Sequence, residues 1–368
     1  ISTVWVVVWT TIKDAGDVFW QGIMSLVNGI YSIVFPTNAS LGHNVNYTIY
    51  ANDTNMVVTS FNGTFFYNYR PYLTTATLNY VGTNSSINLT ATANGYDNDS
   101  ADTVNYIYDW RVGGTSIAVL NMPFDLNGTG GSQGNWTTTT DYSNNVNNAE
   151  YNGSAQAMPR WNRTGGYDSK GAYEFDGKDD NICSPDANSL DLATNMTITL
   201  WIKYNTLSDE PAALAKFEGT GNQRSYRLGL NISGNLNFAL SSDGASPVTF
   251  LNGSTQLQPG NWYFAAARYN GSSMDVFLNG SIDGSMSYSS GIYKSTAPIC
   301  IGFRSQSGQR PFNGTIDQIN IYNRSLSNEQ IALMYNAGAG NYSTITFSEL
   351  KSGDNWTATL TPHDTYEN

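Results

Sequence analysis

Beyond Pro36, apolar residues recur at every second position in short runs, and clusters of Asn, Gly, Ser and Asp break those runs apart. Runs of this kind cover Val45–Ala51, Met56–Tyr69, Leu73–Val81, Ile87–Ala93 and Val104–Val112. Further along, Leu200, Ile202, Phe264, Ala266, Val276, Leu278, Ile299 and Ile301 keep the same alternation. Period two places alternate side chains on opposite faces of a strand, so each run buries one face of a sheet. The chain is therefore expected to be mainly β. Asn279-Gly280 is a hairpin signal, because both central residues of such a turn need positive φ. Ser327 with Gln330 forms a capping box that opens a short helix, which ends near Asn336-Ala337-Gly338.

The N-terminus departs from this pattern. Residues 1–12, ISTVWVVVWTTI, are almost wholly apolar, and the first nine suit a strand by propensity. The polar positions Thr10, Asp14, Asp17, Gln21, Ser25, Asn28 and Ser32 then step by three or four, which draws one narrow polar stripe on a helix. The expectation is one long N-terminal α-helix over 1–36, stopped by Pro36. Its other faces carry Val4, Val8, Ile12, Phe19, Ile23, Val27, Ile30 and Val34, and must be covered by lipid or by other protein. Lys13, Asp14 and Asp17 count against a simple membrane span. The segment resembles the N-terminal helix of archaeal type IV pilins and archaellins. That resemblance implies a helical homopolymer with the helices at its core and the membrane as a partner only before assembly.

Composition narrows the partners. Only 12% of the 368 residues are charged, and the formal net charge is -12 with no basic patch, which argues against nucleic acid. The two cysteines, Cys183 and Cys300, lack metal-ligand spacing and form one bridge in an oxidising compartment. N-x-[ST] acceptors for N-linked glycans stand at Asn38, Asn46, Asn52, Asn62, Asn84, Asn88, Asn98, Asn127, Asn135 and Asn152. Others stand at Asn162, Asn195, Asn231, Asn252, Asn270, Asn279, Asn313, Asn323, Asn341 and Asn355. So dense a set points to surface loops facing a glycosylating exterior.

Two further resemblances organise the rest. GAYEFDGKDDNICSPD (171–186), LDLATNMTITLWIKYN (190–205), GNWYFAAARYNGSSMDVFLNGS (260–281) and PFNGTIDQINIYNRSLSNEQIALMYN (311–336) stand in the order of the laminin-G-like, concanavalin A-like jelly-roll family. Residues 118–338 resemble that family along nearly their whole length. The stretch 91–116 and the string GDNWTATLTPHD (353–364) resemble immunoglobulin-like repeats of archaeal and bacterial surface proteins. The organisation implied is an immunoglobulin-like sandwich, 37–117 and 339–368, interrupted by the jelly roll, with Trp110 and Trp356 in its core.

The jelly-roll resemblance implies a calcium ion held by Asp176, Asp179, Asp180 and Asp317, with Asp317 the first candidate. No enzyme is expected. The paired carboxylates of related glycosidases are absent, Glu174, Glu210 and Glu218 stand alone, and His43 and His363 lie near no nucleophile signature. A carbohydrate site built from Tyr226, Arg224, Tyr288, Tyr293, Arg304 or Arg310, in or beside loops, is the binding alternative to plain surface roles. The leading reading is a structural subunit of an extracellular, cell-surface filament with an outward jelly roll for adhesion. A membrane-anchored adhesin that does not polymerise and a surface-layer component are the alternatives.

Overall fold

A computed structural model of the chain describes residues 3–12, 16–23, 25–27, 30–32, 44–52, 58–66, 70–83, 86–97, 103–128, 138–150, 158–304, 310–338 and 342–364. The first 69 residues are described by backbone only. The chain divides into two compact units. One holds residues 1–74, 95–105 and 362–368, and the other holds 75–94 and 106–361.

The first unit corrects the N-terminal expectation. Thr3–Ile12 and Gly16–Ile23 are strands paired antiparallel, with Val8 opposite Trp20 and Ile12 opposite Gly16. Thr3–Ile12 also pairs with Asn44–Asn52, which pairs in turn with Val58–Phe66. Ser25–Val27 and Ile30–Ser32 form a further short pair. Val4, Val8, Ile12, Phe19, Ile23, Val27 and Ile30 thus lie on strands; Val34 lies outside the described residues. The physical reason is the run TVWVVVW, whose β-branched and aromatic side chains lose rotamer freedom in a helix and suit a pleated ladder. Gly16, costly inside a helix, begins the return strand. The spacing of Val4, Val8 and Ile12 does not discriminate, since steps of four share a face in a helix and in a strand alike.

The second unit is built on two eight-stranded sheets. In the first sheet the order is Arg160–Asn162, Ala172–Asp176, Asn313–Tyr322, Met196–Thr206, Tyr263–Tyr269, Ser273–Leu278 and Ser281–Ser287, with Ala118–Met122 also on Asn313–Tyr322. In the second the order is Thr138–Thr139, Ala149–Glu150, Ile182–Ser184, Ile299–Ile301, Ala212–Glu218, Gln223–Leu230, Asn235–Leu240 and Thr249–Gln256. The second sheet shows how register sets burial. Ile182, Ile301, Leu214, Leu228, Phe238 and Leu251 stand opposite one another across six strands and face the core. One residue along each strand, Cys183, Cys300, Ala215, Arg227, Ala239 and Phe250 form the row on the other face. The core between the sheets is completed by Ile198, Leu200 and Ile202 with Val276, Ile316, Ile319 and Ile321.

Alternation also buries the far face of the first sheet. Trp201, Phe264, Ala266 and Phe277 point away from the second sheet into another cluster, with Ile331 and Met334 of the helix Asn328–Ala337 and with Leu89, Trp110 and Trp356. Trp110 meets Trp356 edge to face at 6.3 Å, and its indole donates to the Tyr342 carbonyl at 2.6 Å. The strand Asn105–Val112 lies beside Trp356–His363 in a three-stranded sheet, and Tyr72–Thr83, Ser86–Tyr96 and Thr344–Ile345 form another. Residues 75–94 and 106–117 share the compact unit that holds both large sheets.

Local signals formed as read, with one difference. Asn279 and Gly280 take φ of 48° and 79°. Ser327 caps the helix by accepting from the Gln330 amide at 3.1 Å. The Gln330 side chain, however, does not reach back to Ser327; it donates to the Thr344 carbonyl and accepts from the Thr346 amide. Glu349 takes the Ser327 amide instead, at 2.6 Å.

Cys183 and Cys300 form a disulfide across the paired third and fourth strands of the second sheet, 117 residues apart in sequence. A cross-link spanning a loop of this length stabilises by about 2–5 kcal/mol. The double variant Cys183→Ala/Cys300→Ala should lose that amount in chemical denaturation. Mild reductant should leave the native protein intact, because Cys300 is fully buried.

Candidate functional site

The site begins where the cover of the first sheet stops. Along Met196–Thr206, the residues on its far face run Trp201, Lys203, Asn205; along the neighbouring strand they run Asp317, Thr315, Asn313. Trp201 is buried under a stacked Tyr167 ring, 3.5 Å between centroids. Lys203, two residues on, reaches solvent with its ammonium 4.9 Å from the Trp262 ring. Pairing then aligns Arg160, Glu174, Thr315 and Lys203 in one row across four strands. This row floors an open cleft of about 640 Å³ whose rim includes Asp176, Asp180, Asn205 and Asn313. Arg160 Nε donates to the Glu174 carboxylate at 2.9 Å, and the Asn162 side-chain amide donates to it at 2.6 Å. Burial alone would raise the Glu174 carboxyl, but bonds from Asn162 and Arg160 and the charges of Arg160 and Lys203 hold it below its ordinary value.

The rim is shaped by Asp176-Gly177-Lys178. Gly177 has φ of 76°, and a Cβ there would fall 2.6 Å from that of Asn313, so only glycine serves. The Asn313 amide donates to the Asp176 carbonyl at 2.8 Å and fixes the loop to the sheet. Asp180 accepts the Asp176 amide at 2.7 Å. The carboxylate oxygens of Asp176, Asp179 and Asp180 come within 4.8 Å of one another. Burial, with the charges of Asp176 and Asp179, pushes Asp180 up to about 6 despite that backbone bond. Three hard oxygen donors that resist sharing negative charge are the donor chemistry a calcium ion satisfies.

The fourth expected ligand is elsewhere. Asp317 is fully buried four residues along its strand from Asn313, roughly 13 Å away at strand rise. Its carboxylate accepts the Tyr167 amide at 3.0 Å and has Asp125 and Asp168 as charged neighbours. Lys170 supplies the cation there, with Nζ 2.7 Å from Asp168 and 4.0 Å from Asp125. The structure therefore brings Asp176, Asp179 and Asp180 together and sets Asp317 in a separate cluster with its own ammonium. Of the residues read as sugar contacts, Tyr226 and Tyr288 belong to the core, and Arg224, Arg304 and Arg310 lie about the second sheet. The cleft residues Arg160, Lys203 and Thr315 were not singled out in the sequence; their signal, period-two polar positions in three strands, emerges only when the register is known.

Residues 176–332 match the model of the concanavalin A-like lectin/glucanases superfamily. Residues 176–332 form a laminin-G/concanavalin A-like jelly-roll domain. The binding domain of the Paraclostridial mosquitocidal protein is 17% identical over 60% of this chain and 52% of that one, with a TM-score of 0.45. Domain 4 of AbnA, an extracellular arabinanase from Geobacillus stearothermophilus solved with arabinotriose, is 20% identical over 61% and 98%, with a TM-score of 0.42. The ligand-binding domain of botulinum neurotoxin serotype D, solved with N-acetylneuraminic acid, is 18% identical over 60% and 51%, with a TM-score of 0.44. The chain spans about half the length of the two toxin domains. No curated protein matches it.

Among the acceptor asparagines in the jelly-roll domain and its flanks, Asn252, Asn270, Asn323 and Asn355 are exposed. Asn88, Asn127, Asn162, Asn195, Asn231, Asn279 and Asn313 are partly buried, and Asn279 accepts the Phe264 amide within its hairpin. Asn46, Asn52 and Asn62 lie on strands of the first unit. Asn38, Asn84, Asn98, Asn135, Asn152 and Asn341 lie outside the described residues, as does His43.

Burial first, then the charges of Asp125 and Asp168, push the Asp317 carboxyl well above its ordinary value. A raised folded-state pKa means the folded protein holds the proton more tightly than the unfolded chain, so this group's contribution falls as pH rises from about 4. Asp317→Asn removes that loss without changing shape. The variant should melt at or above the parent temperature at neutral pH, and its advantage should shrink towards pH 4.

Proposed function

We propose that this chain is an extracellular carbohydrate-binding protein, with the cleft beside the Asp176–Asp180 loop as its binding surface and calcium held by Asp176, Asp179 and Asp180. The observation that carries this reading is the polar row Arg160, Glu174, Thr315, Lys203 flooring an open cleft, next to far-face residues of the same strands, Trp201 and Asp317, that are buried. Fixed donors and acceptors in a concave polar strip suit the hydroxyls of a sugar, and the half-buried Trp262 beside Lys203 offers an apolar face to a pyranose ring. Glu174, held ionised, accepts hydroxyl protons; Lys203 and Arg160 donate. A bound calcium ion would add ligation of sugar hydroxyls at the rim. The disulfide and the exposed glycan acceptors support an oxidising, extracellular setting. Binding, rather than polymerisation through a leading helix, is the working property supported, since that segment forms strands.

Neutral glycans should bind in calcium and lose affinity in chelator when titrated calorimetrically. Asp179→Asn/Asp180→Asn should abolish the heat of calcium binding. Lys203→Met should weaken glycan about ten- to a hundred-fold, the worth of one charge-assisted hydrogen bond, with calcium binding unchanged. Glycan affinity indifferent to Lys203 would defeat the assignment of the cleft.

A further inference from the structure

Four of the chain's 17 basic residues converge on the far face of the second sheet, in a molecule of net charge -12. Arg227 sits in the middle of that face, nearly inaccessible, bonded to Asn237, 3.6 Å from Glu210 and over the Phe250 ring. Arg310 pairs with Asp209 at 3.3 Å and with Glu210. These two have carboxylate partners and form a closed floor. Arg224 and Arg304 differ. Their guanidinium carbons lie 5.9 and 5.7 Å from the centre of one ring, that of Phe217. Arg224 is held by the Gly219 and Gly244 carbonyls and, among the described residues, has no carboxylate within ion-pair distance. Arg304 has no ion pair among the described residues, and its Nε is buried without a hydrogen-bond partner. Burial, followed by the charges of Arg310 and Arg224, pulls its pKa down against the opposing charges of Asp209 and Glu218. Guanidiniums crowded together with a donor unsatisfied lack an acceptor, not a further cation.

The geometry points to a second binding site, at Arg224 and Arg304 over Phe217, that takes the carboxylate of an acidic sugar. Two forked guanidiniums match a planar carboxylate in bidentate fashion. The scale of the site selects a single anionic group, because the acidic surface around it repels a densely charged polymer. That the carboxylate belongs to a sugar rests on the carbohydrate-binding reading above; the place and the anion do not.

The test is an NMR titration with methyl glucuronide, methyl glucoside and galactose 6-sulfate, at low and physiological salt. Glucuronide should bind at least tenfold more tightly than glucoside, and more weakly as salt rises. Arg304→Gln should lose that preference with an unchanged melting curve, and Arg304→Lys, which keeps the charge but not the fork, should lose at least half of it. Asp179→Asn/Asp180→Asn should leave glucuronide binding intact. Equal affinity for glucuronide and glucoside, tighter binding of the sulfate ester, or an Arg304→Gln variant that binds as the parent does would each overturn the inference. Glucuronide binding through Arg304 with no neutral glycan bound in the cleft would defeat the proposed cleft alone; neutral glycan without glucuronide would defeat this site alone.

Discussion

The first sheet is buried on both faces for most of its length, and this double burial governs where the molecule can bind anything. Ile202 faces the second sheet while Trp201, its neighbour, faces the helix and the flanking strands. Fully burying side chains of this size contributes about 1.5–3 kcal/mol each. Each of the central strands therefore adds to two cores at once. An antiparallel sheet usually keeps one face for water. Here the helix Asn328–Ala337 and the strands around Trp110 and Trp356 take that face over the central strands, leaving open the edge strand Ser281–Ser287 and the end beyond their reach. The cleft lies at that end, and its residues turn from Trp201 to Lys203 and from Asp317 to Thr315 as the cover ends.

With so few charges, the placement of each is informative. Lys216 is fully buried on the second sheet, yet it is bonded to Asp186 and to the carbonyls of Ser295 and Ala297, so its charge is met on several sides. Arg268 is chelated by Asp275 and reaches the Leu326 carbonyl and the Asn328 side chain at the helix entrance. These are structural ions with complete shells, and removing one partner would strand the other in a medium that penalises it. Against that background, the carboxylates of Asp176, Asp179 and Asp180 stand out as three acids beside one exposed ammonium, Lys178, 3.6 Å from Asp176, and Arg304 as a cation with no ion pair among the described residues.

Much of the fold was legible in the sequence because it rests on local chemistry. Asn279-Gly280, Ser327, Gly338 and the paired cysteines act over a few residues or through a unique partner. The Asp176–Asp180 loop was reached through the jelly-roll resemblance, and its three carboxylates come together because they lie within five consecutive residues. Asp317 was not, because its neighbours Asp125, Asp168 and Lys170 arrive from loops roughly 150 to 190 positions earlier. The N-terminal segment failed for a different reason. Its polar stripe at steps of three and four spoke for a helix, while its β-branched run spoke for a strand, and pairing on both edges over Trp5–Thr10 satisfies the backbone of that run.

The two proposed sites follow from a single property of sheets. A one-residue step along a strand exchanges the core for the surface, so a hydrophobic inner row obliges the adjacent row to form one continuous stripe on the other face. On the first sheet that row is Arg160, Glu174, Thr315, Lys203; on the second it is Cys183, Cys300, Ala215, Arg227, Ala239, Phe250. The alanines and the disulfide leave Arg227 as the one charged side chain of the second stripe, and Arg224 and Arg304 gather beside it over the buried Phe217 ring. The first stripe carries long charged side chains at Arg160, Glu174 and Lys203, with the short, buried Thr315 between them. One sheet thus presents a trough of mixed donors and acceptors, suited to neutral hydroxyls, and the other a compact cationic spot on an aromatic ring. Opposite chemistry on opposite faces of one domain arises from the same alternation that packs its core.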